Sequence, residues 1–409
     1  MEHSPARTAL TRRHVGLAFV VGLGLRLAVG QLLTLEPSWD GVIYERAASQ
    51  LAAGHGYTLR MLDPAWPWPD LPTAFYPPGW PALLSLVKLL GAPLRFDLML
   101  CALLGALAIP LAAAFGGALG GHTGKRKTAW LVALWPGGCL LAGSWMGEPL
   151  FTVLLLGALI PLLGPSGARP HRLALAALLL GLAAYTRPDA LALAPLVLVA
   201  RTWSGGRRVR GALVAGSFAA LALLPVLPWM ARNADRLDGP VVSSSSGANL
   251  LVGTVACRFT RIPDALDCPA GSREVARDRC RRDRALARIG ADPLAWLALG
   301  VGKLAHTFGY EATPALQLGA GLGWRDPAAR WEVWLLAAPC TFFFWALLFF
   351  AVRSRAGARG RVAWAAIAGI GLLHFLFFGG DRYHLPLVPL IAALAAAGTC
   401  GGSARHAAR

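Results

Sequence analysis

Leu98-Met-Leu-Cys-Ala-Leu-Leu-Gly-Ala-Leu-Ala-Ile-Pro-Leu-Ala-Ala-Ala-Phe-Gly-Gly-Ala-Leu-Gly-Gly121 contains no Asp, Glu, Lys, Arg or His. A helix needs about 20 mostly apolar residues to cross a bilayer, so this run is long enough to span one. Lys125-Arg126-Lys127 follows at once, and then a second charge-free run from Thr128 to Gly147. Glu148 interrupts, and a third run covers 149–168. Apolar stretches of membrane length, separated by short charged connectors, are the pattern of a polytopic membrane protein.

Working outward, further clean runs occupy 211–231 and 385–404. Those at 15–35 and 362–380 carry one interruption each, Arg26 and His374, and 331–352 is clean after Glu332. The segment 173–200 is broken by Arg187-Pro188-Asp189 and is too long for one crossing, so it reads as a hairpin of two short helices. Two weaker stretches, 79–93 and 293–310, each carry a lysine (Lys88, Lys303) and are expected as half-buried helices at the interface. The expected fold class is therefore all-α: a helical membrane bundle of about ten spans with interfacial helices in its outer loops.

Whole-chain composition agrees. Of 409 residues, 56% are hydrophobic and 15% charged, where a soluble domain has about 25% charged residues. The net charge of +18 comes from 39 basic against 21 acidic residues. The basic residues do not line one face as a nucleic-acid surface would; they cluster between apolar runs. Arg7, Arg12 and Arg13 precede the first span, and Arg169 with Arg172, then Arg201, Arg207, Arg208 and Arg210, follow later ones. Arg353, Arg355, Arg359 and Arg361 make another cluster, and Arg405 and Arg409 end the chain. Placing all of these inside puts both termini in the cytoplasm of a multi-pass cell-membrane protein. The outside then holds 36–97, 232–330 and the turns at 145–148, 187–189 and 379–384.

Four cysteines (Cys101, Cys139, Cys340, Cys400) lie in apolar runs, and three (Cys257, Cys268, Cys280) in the large outer loop. An oxidising exterior permits one disulfide among those three, and spacing does not choose the pair. No cysteine or histidine spacing fits a metal site, and no phosphate-binding glycine loop is present. The sequence points to no particular cofactor, and a divalent metal is compatible with it but has no supporting motif.

The outer face carries the candidate chemistry. Asp40, in Trp39-Asp40-Gly41-Val42-Ile43-Tyr44, stands a few residues beyond span one. A carboxylate near the lipid interface is costly unless used or paired; it reads as a general base or as an N-cap. Pro72-Thr-Ala-Phe75-Tyr76-Pro77-Pro78-Gly79-Trp80-Pro81 is a stiff extended segment, either a wall of a substrate groove or a rigid connector. Glu148 is a lone acid in a tight turn, a functional candidate or the N-terminal charge of a helix that opens with Pro149. Arg187, Arg232 and Arg382 each stand at an outer helix end. They offer donor forks that fit phosphate, or they snorkel, or they pair, as Arg187 could with Asp189. Arg26 reads as snorkelling, paired or substrate-facing, and His374 as a core histidine.

In order, these residues form W-D-x₃-Y with Leu51, Gly54, Gly56 and Tyr57, then F-Y-P-P-G-W-P, E-P-L-F, T-R-P, P-W-x-x-R-N and R-Y-x-L-P-x-x-P. This set resembles the GT-C glycosyltransferases, and within them the family of protein O-mannosyltransferases and lipid A aminoarabinose transferases. The resemblance covers 15–250 and 360–400. It implies a sugar donor on polyprenyl phosphate, with catalytic roles for Asp40 and Glu148 and donor-phosphate contacts from Arg382 and, as a weaker carry-over, Arg232; from the residues themselves, Arg187 is a further candidate phosphate contact, and Tyr44, Tyr76 and Tyr383 are candidate walls of a substrate groove. Two departures stand out: Gly41 follows Asp40 where many members carry a second acid, and Phe75-Tyr76 stands where aminoarabinose transferases carry Glu-Lys.

The expected organisation is a transmembrane catalytic module over 1–230, a large outer loop over 231–330, and C-terminal spans with a basic tail over 331–409. The expected activity is inverting transfer of a hexose or pentose from a polyprenyl-phosphate sugar to a hydroxyl of a glycan, lipid or protein acceptor on the outer or periplasmic face. Expected partners are that donor, the acceptor and membrane lipids, with no nucleic acid. The rival readings are a transporter, which would show repeat symmetry and broken helices at midplane, and a lipid-linked polymer ligase or flippase.

Overall fold

The computed structural model describes residues 5–33, 35–59, 71–164, 169–202, 208–269, 273–354 and 357–399. Arg207, Arg355, Cys400, Arg405 and Arg409, part of the basic pattern and of the last apolar run, lie outside the described residues.

The chain is helical nearly throughout. The first half runs through α1 (Pro5–Leu32), α2 (Asp40–Ala52), α3 (Gly79–Leu89), α4 (Arg95–Ala133), α5 (Pro136–Leu140), α6 (Glu148–Leu159), α7 (Pro170–Ala184), α8 (Asp189–Thr202) and α9 (Arg208–Leu223). The second half comprises α10 (Leu227–Leu237), α11 (Ser246–Val252), α12 (Glu274–Ala291), α13 (Pro293–Phe308), α14 (Thr313–Gly321), α15 (Trp331–Val352), α16 (Gly357–Leu376) and α17 (Val388–Gly398). The one sheet among the described residues pairs β1 (Thr58–Leu59) with β2 (Leu71–Pro72), antiparallel, Thr58 opposite Pro72.

Four helical stretches are long and apolar enough to cross a membrane among the described residues: Pro5–Leu32, Arg95–Ala133, Leu213–Leu237 and Trp331–Val352. The other apolar helices are shorter, Glu148–Leu163, Pro170–Ala184 and Asp189–Ala200 among them. The hairpin expected over 173–200 is present as α7 and α8.

α4 is a folded-back pair. Gly120 and Gly121 leave the helical region, with Gly121 at φ +62°, a conformation glycine adopts without strain. The two limbs then pack so closely that a Cβ on Gly116 would stand 2.0 Å from Thr128 Oγ1. Small residues at such crossings let helix backbones approach in a membrane. The expected span 128–147 is not one helix: the returning limb stops at Ala133, and Trp135 is extended before Pro136 opens the short α5. Proline fixes its own φ and disfavours helix at the preceding residue.

Arg26 caps this stop. Its guanidinium is buried and donates to the carbonyls of Gly22 (2.9 Å), Val132 (3.0 Å) and Ala133 (3.2 Å). The last carbonyls of a helix lack intrahelical donors and carry partial negative charge, so a buried cation is favourable there. Arg26 is thus a structural cap.

α17 runs through the middle. Residues Leu387–Ala396 are almost wholly buried, and α17 packs on both α4 and α15. α15, in contrast, turns Trp334, Leu335, Phe342, Trp345 and Phe349 outward, the apolar exterior of a helix facing lipid. The segment leading into α12 is stapled to that helix by a Cys268–Cys280 disulfide, which selects one pair from the three cysteines available; Cys257 is free.

Candidate functional site

The site assembles where four chain segments reach one end of the bundle. Asp40 is the first residue of α2, and Glu148 is the first of α6. Arg187 lies in the turn between α7 and α8, and Arg382 in a 3₁₀ turn, Asp381–Tyr383, just before α17.

Arg382 Nη1 donates to Asp40 Oδ2 at 2.6 Å. Its Nε lies 3.6 Å from Glu148 Oε1, and that N–H has no hydrogen-bond partner among the described residues. Arg187 Nη1 approaches Glu148 Oε1 to 3.5 Å while its Nη2 holds Asp189 Oδ2 at 3.0 Å. The order in space is therefore Asp40, Arg382, Glu148, Arg187, Asp189, with carboxylate and guanidinium alternating. The side chains of Asp40 and Arg382 are 19% and 24% exposed, and that of Glu148 only 4%. The two groups at one end of the chain of charges are open to a ligand, and the middle carboxylate is closed in.

The α2 N-terminus receives no side-chain cap bond from its N-cap residue, Trp39, and the Asp40 carboxylate is engaged across the site. Glu148 opens a helix before Pro149, yet its carboxylate lies between two arginines. Arg187 pairs with Asp189, and it also reaches Glu148.

Aromatic rings line the approach. Tyr44, one turn after Asp40, packs at a tilt against Tyr76 with ring centroids 5.1 Å apart, and the Asp40 carboxylate lies close enough to act on both phenols. Burial pushes both phenols well above their ordinary value, and the Asp40 charge pushes further, so both stay O–H donors. Tyr383 lies face to face with His374 at 3.7 Å, and the guanidiniums of Arg187 and Arg382 sit 4.8 and 5.3 Å from the Tyr383 ring.

Neighbours that sequence reading passed over hold Arg382 in place. Asp381 accepts from the Ala312 and Thr313 amides, each at 2.6 Å, and from the Thr313 hydroxyl. His384 is fully buried; Nδ1 bonds the Thr307 carbonyl, and Nε2 faces Glu311 Oε2 at 3.2 Å. A carbonyl only accepts, so Nδ1 carries a proton. Glu311 also accepts from Trp135 Nε1 at 2.7 Å. With Asp381 tied to the start of α14 and His384 to Thr307 of α13 and to Glu311, Arg382 projects toward Asp40. His374, expected as a core histidine, is one: Nδ1 bonds the Phe378 carbonyl, and Nε2 stands 4.0 Å from Asp189 at the edge of the site.

Arg232 is not brought to this cluster. It donates to the carbonyls of Thr73 (2.8 Å) and Tyr57 (2.9 Å) and to the Asn233 side chain. There it braces the proline-rich segment that carries Tyr76. Glu274 of α12 holds the same segment, accepting from the Thr73 hydroxyl, the Ala74 amide (both 2.8 Å) and the Ser244 hydroxyl. Gly41 has its own reason: a Cβ there would come within 3.0 Å of Trp145 Cβ. The carboxylates face guanidiniums instead of one another, and among the described residues no three His, Cys, Asp or Glu side chains converge as a metal site would require.

No family model and no curated protein matches the sequence. Solved structures do match in fold. The oligosaccharyltransferase of Archaeoglobus fulgidus, crystallised with zinc and sulfate, superposes with TM-score 0.54 at 14% identity, over 96% of this chain and 49% of its own. The same enzyme tethered to an acceptor peptide containing an NVT sequon gives 0.54 and 14%, over 94% and 49%. The fold is the GT-C membrane fold. This chain spans about half the length of that archaeal enzyme. ArnT from Cupriavidus metallidurans, bound to undecaprenyl phosphate, aligns over 96% of this chain and 79% of its own, with 18% identity and TM-score 0.46. The cluster of Asp40, Glu148 and Arg382 lies at one end of this helical architecture.

Proposed function

We propose that the protein is a membrane glycosyltransferase that moves a sugar from polyprenyl phosphate to an acceptor hydroxyl at its extracytoplasmic face. The observation that carries this reading is the Asp40–Arg382 pair, at 2.6 Å and open on one side. It sets a proton acceptor beside a phosphate-binding fork.

In the proposed reaction the donor phosphate competes with Asp40 for Nη1 of Arg382. Asp40, released from Arg382, accepts the proton of the acceptor hydroxyl. The acceptor oxygen bonds to the anomeric carbon from the face opposite the phosphate, with inversion. The carbon–oxygen bond to phosphate breaks, its electron pair going to the phosphate oxygen, where Arg382 stabilises the charge. Arg187 holds Glu148 in place behind Arg382, and the Tyr44 and Tyr76 hydroxyls orient Asp40. Transfer of a hexose or pentose fits this arrangement equally.

Purified protein incubated with radiolabelled polyprenyl-phosphate sugars and membrane extracts as acceptor should release polyprenyl phosphate and label the extract. Absence of transfer from every polyprenyl-phosphate sugar, in protein that binds none of them, would sink the reading.

A further inference from the structure

At the end of the bundle away from Asp40 and Arg382 lies a groove of about 620 Å³, within the range of about 300–1,000 Å³ typical of small-ligand pockets. It opens between the start of α1, the returning limb of α4 and the far ends of α15 and α17. Its floor is apolar: Trp130, Leu134, Phe343, Leu347 and Phe350. Its rim is cationic. Arg126 and Lys127 stand there, with His14 beside Trp130. Lys127 donates to the Thr399 hydroxyl at 2.9 Å, and neither it nor Arg126 has an ion-pair partner among the described residues. The lining segments 123–134, 343–350 and 395–399 contain no acid at all.

We infer that this groove binds an anionic phospholipid, its acyl chain over the aromatic and aliphatic floor and its phosphate on Arg126 and Lys127. Cations without a carboxylate at a membrane surface attract anionic headgroups, and the floor removes chain surface from competing contacts. The chain's own end, 400–409, is the other candidate occupant, but its ionisable residues are Arg405, His406 and Arg409. Like charges on rim and tail disfavour it. The site is separate from the proposed catalytic cluster and does not depend on that assignment.

Native mass spectrometry of detergent-purified protein, titrated with phosphatidylglycerol or phosphatidylcholine, tests this. Phosphatidylglycerol should be retained in preference by about tenfold or more, the scale of two cations acting on one anionic lipid. Arg126→Gln with Lys127→Gln should erase the preference, and Arg126→Lys with Lys127→Arg should keep it. Ala346→Trp, which fills the groove, should lower retention of both lipids while leaving the melting temperature near that of wild type. Equal retention of the two lipids by wild type, or a preference unchanged in the double glutamine variant, overturns the inference. Binding that appears only after deletion of 400–409 assigns the groove to the tail and overturns it as well.

Discussion

Asp40 and Arg382 are separated by 342 positions in the chain and by one hydrogen bond in space. Two predictions belong to this scale. Asp40→Asn keeps the shape of the side chain and removes the proton acceptor, so the variant should fold, insert and bind donor while losing transfer by about 10²–10⁴-fold, the usual worth of general acid–base help. Turnover near wild type in quantified, folded protein would return Asp40 to a structural role. Arg382→Lys keeps the charge but not the fork, and Arg382→Ala keeps neither. Binding of a polyprenyl phosphate, measured directly, should fall in the order wild type, lysine, alanine. Equal affinity in all three would mean that Arg382 serves Asp40 and Glu148 only. The acids and arginines were legible in the sequence because each stands out against apolar surroundings. Arg232 follows an aromatic, a signal that is the same whether the guanidinium meets phosphate or, as in this fold, backbone carbonyls.

Helices and their joints make separate predictions. The folded-back α4 depends on Gly116, and Gly116→Leu should drive the limbs apart at a cost of about 1–3 kcal/mol, as overpacking does. A clear fall in melting temperature in detergent is expected, whereas Gly216→Ala, with open space at its Cβ, should leave it unchanged or raised. No fall for Gly116→Leu would show that the crossing is looser than it looks. Just before α12, Asp267 joins Arg277 and Arg281 at 2.7 Å each, beside the Cys268–Cys280 bridge. Partial burial pushes its carboxyl up, but the Arg281 hydrogen bonds, the Cys268 amide and the two arginine charges outweigh this and hold it at about 2, below the ordinary 3.8. A carboxyl depressed by folding stabilises above its unfolded value and loses that stabilisation as pH falls toward its folded value, here between about pH 4 and pH 2. Reduction of the disulfide by a phosphine should accelerate over that window relative to an Asp267→Asn variant measured in parallel. Parallel rates in the two proteins would rule the carboxylate out.

For the whole molecule the governing expectation is sidedness. The site turns gather at one end, and the Gly120–Gly121 turn with its basic neighbours lies at the other. In a background retaining only the Cys268–Cys280 pair, a membrane-impermeant thiol reagent added outside should label cysteines placed at Thr260, Ala265 and Ala329. It should miss Thr123 and Ala358. All five positions are solvent-exposed in the fold. Labelling of Thr123 from outside would invert the bundle and place the cluster in the cytoplasm, ending the extracytoplasmic reaction proposed above.

Sequence by itself determined that this is a helical membrane protein and which side chains are chemically unusual. Both follow from composition along the chain: lipid tolerates few charges, so apolar runs mark helices and isolated charges mark uses. It also announced the α7–α8 hairpin, because Arg187-Pro188-Asp189 breaks a run too long for one crossing. Tertiary structure decided what the charges do. Arg26 became a helix cap, Arg232 a brace, and Lys88 a partner of Glu45 at 2.8 Å, since each of these depends on a backbone or carboxylate remote in the chain. It also chose Cys268 with Cys280, split the run 128–147 at Trp135-Pro136, and closed Asp381 and His384 around Arg382. A side chain's partner is set by which helix ends converge, and convergence is a property of packing that local residue pattern does not encode.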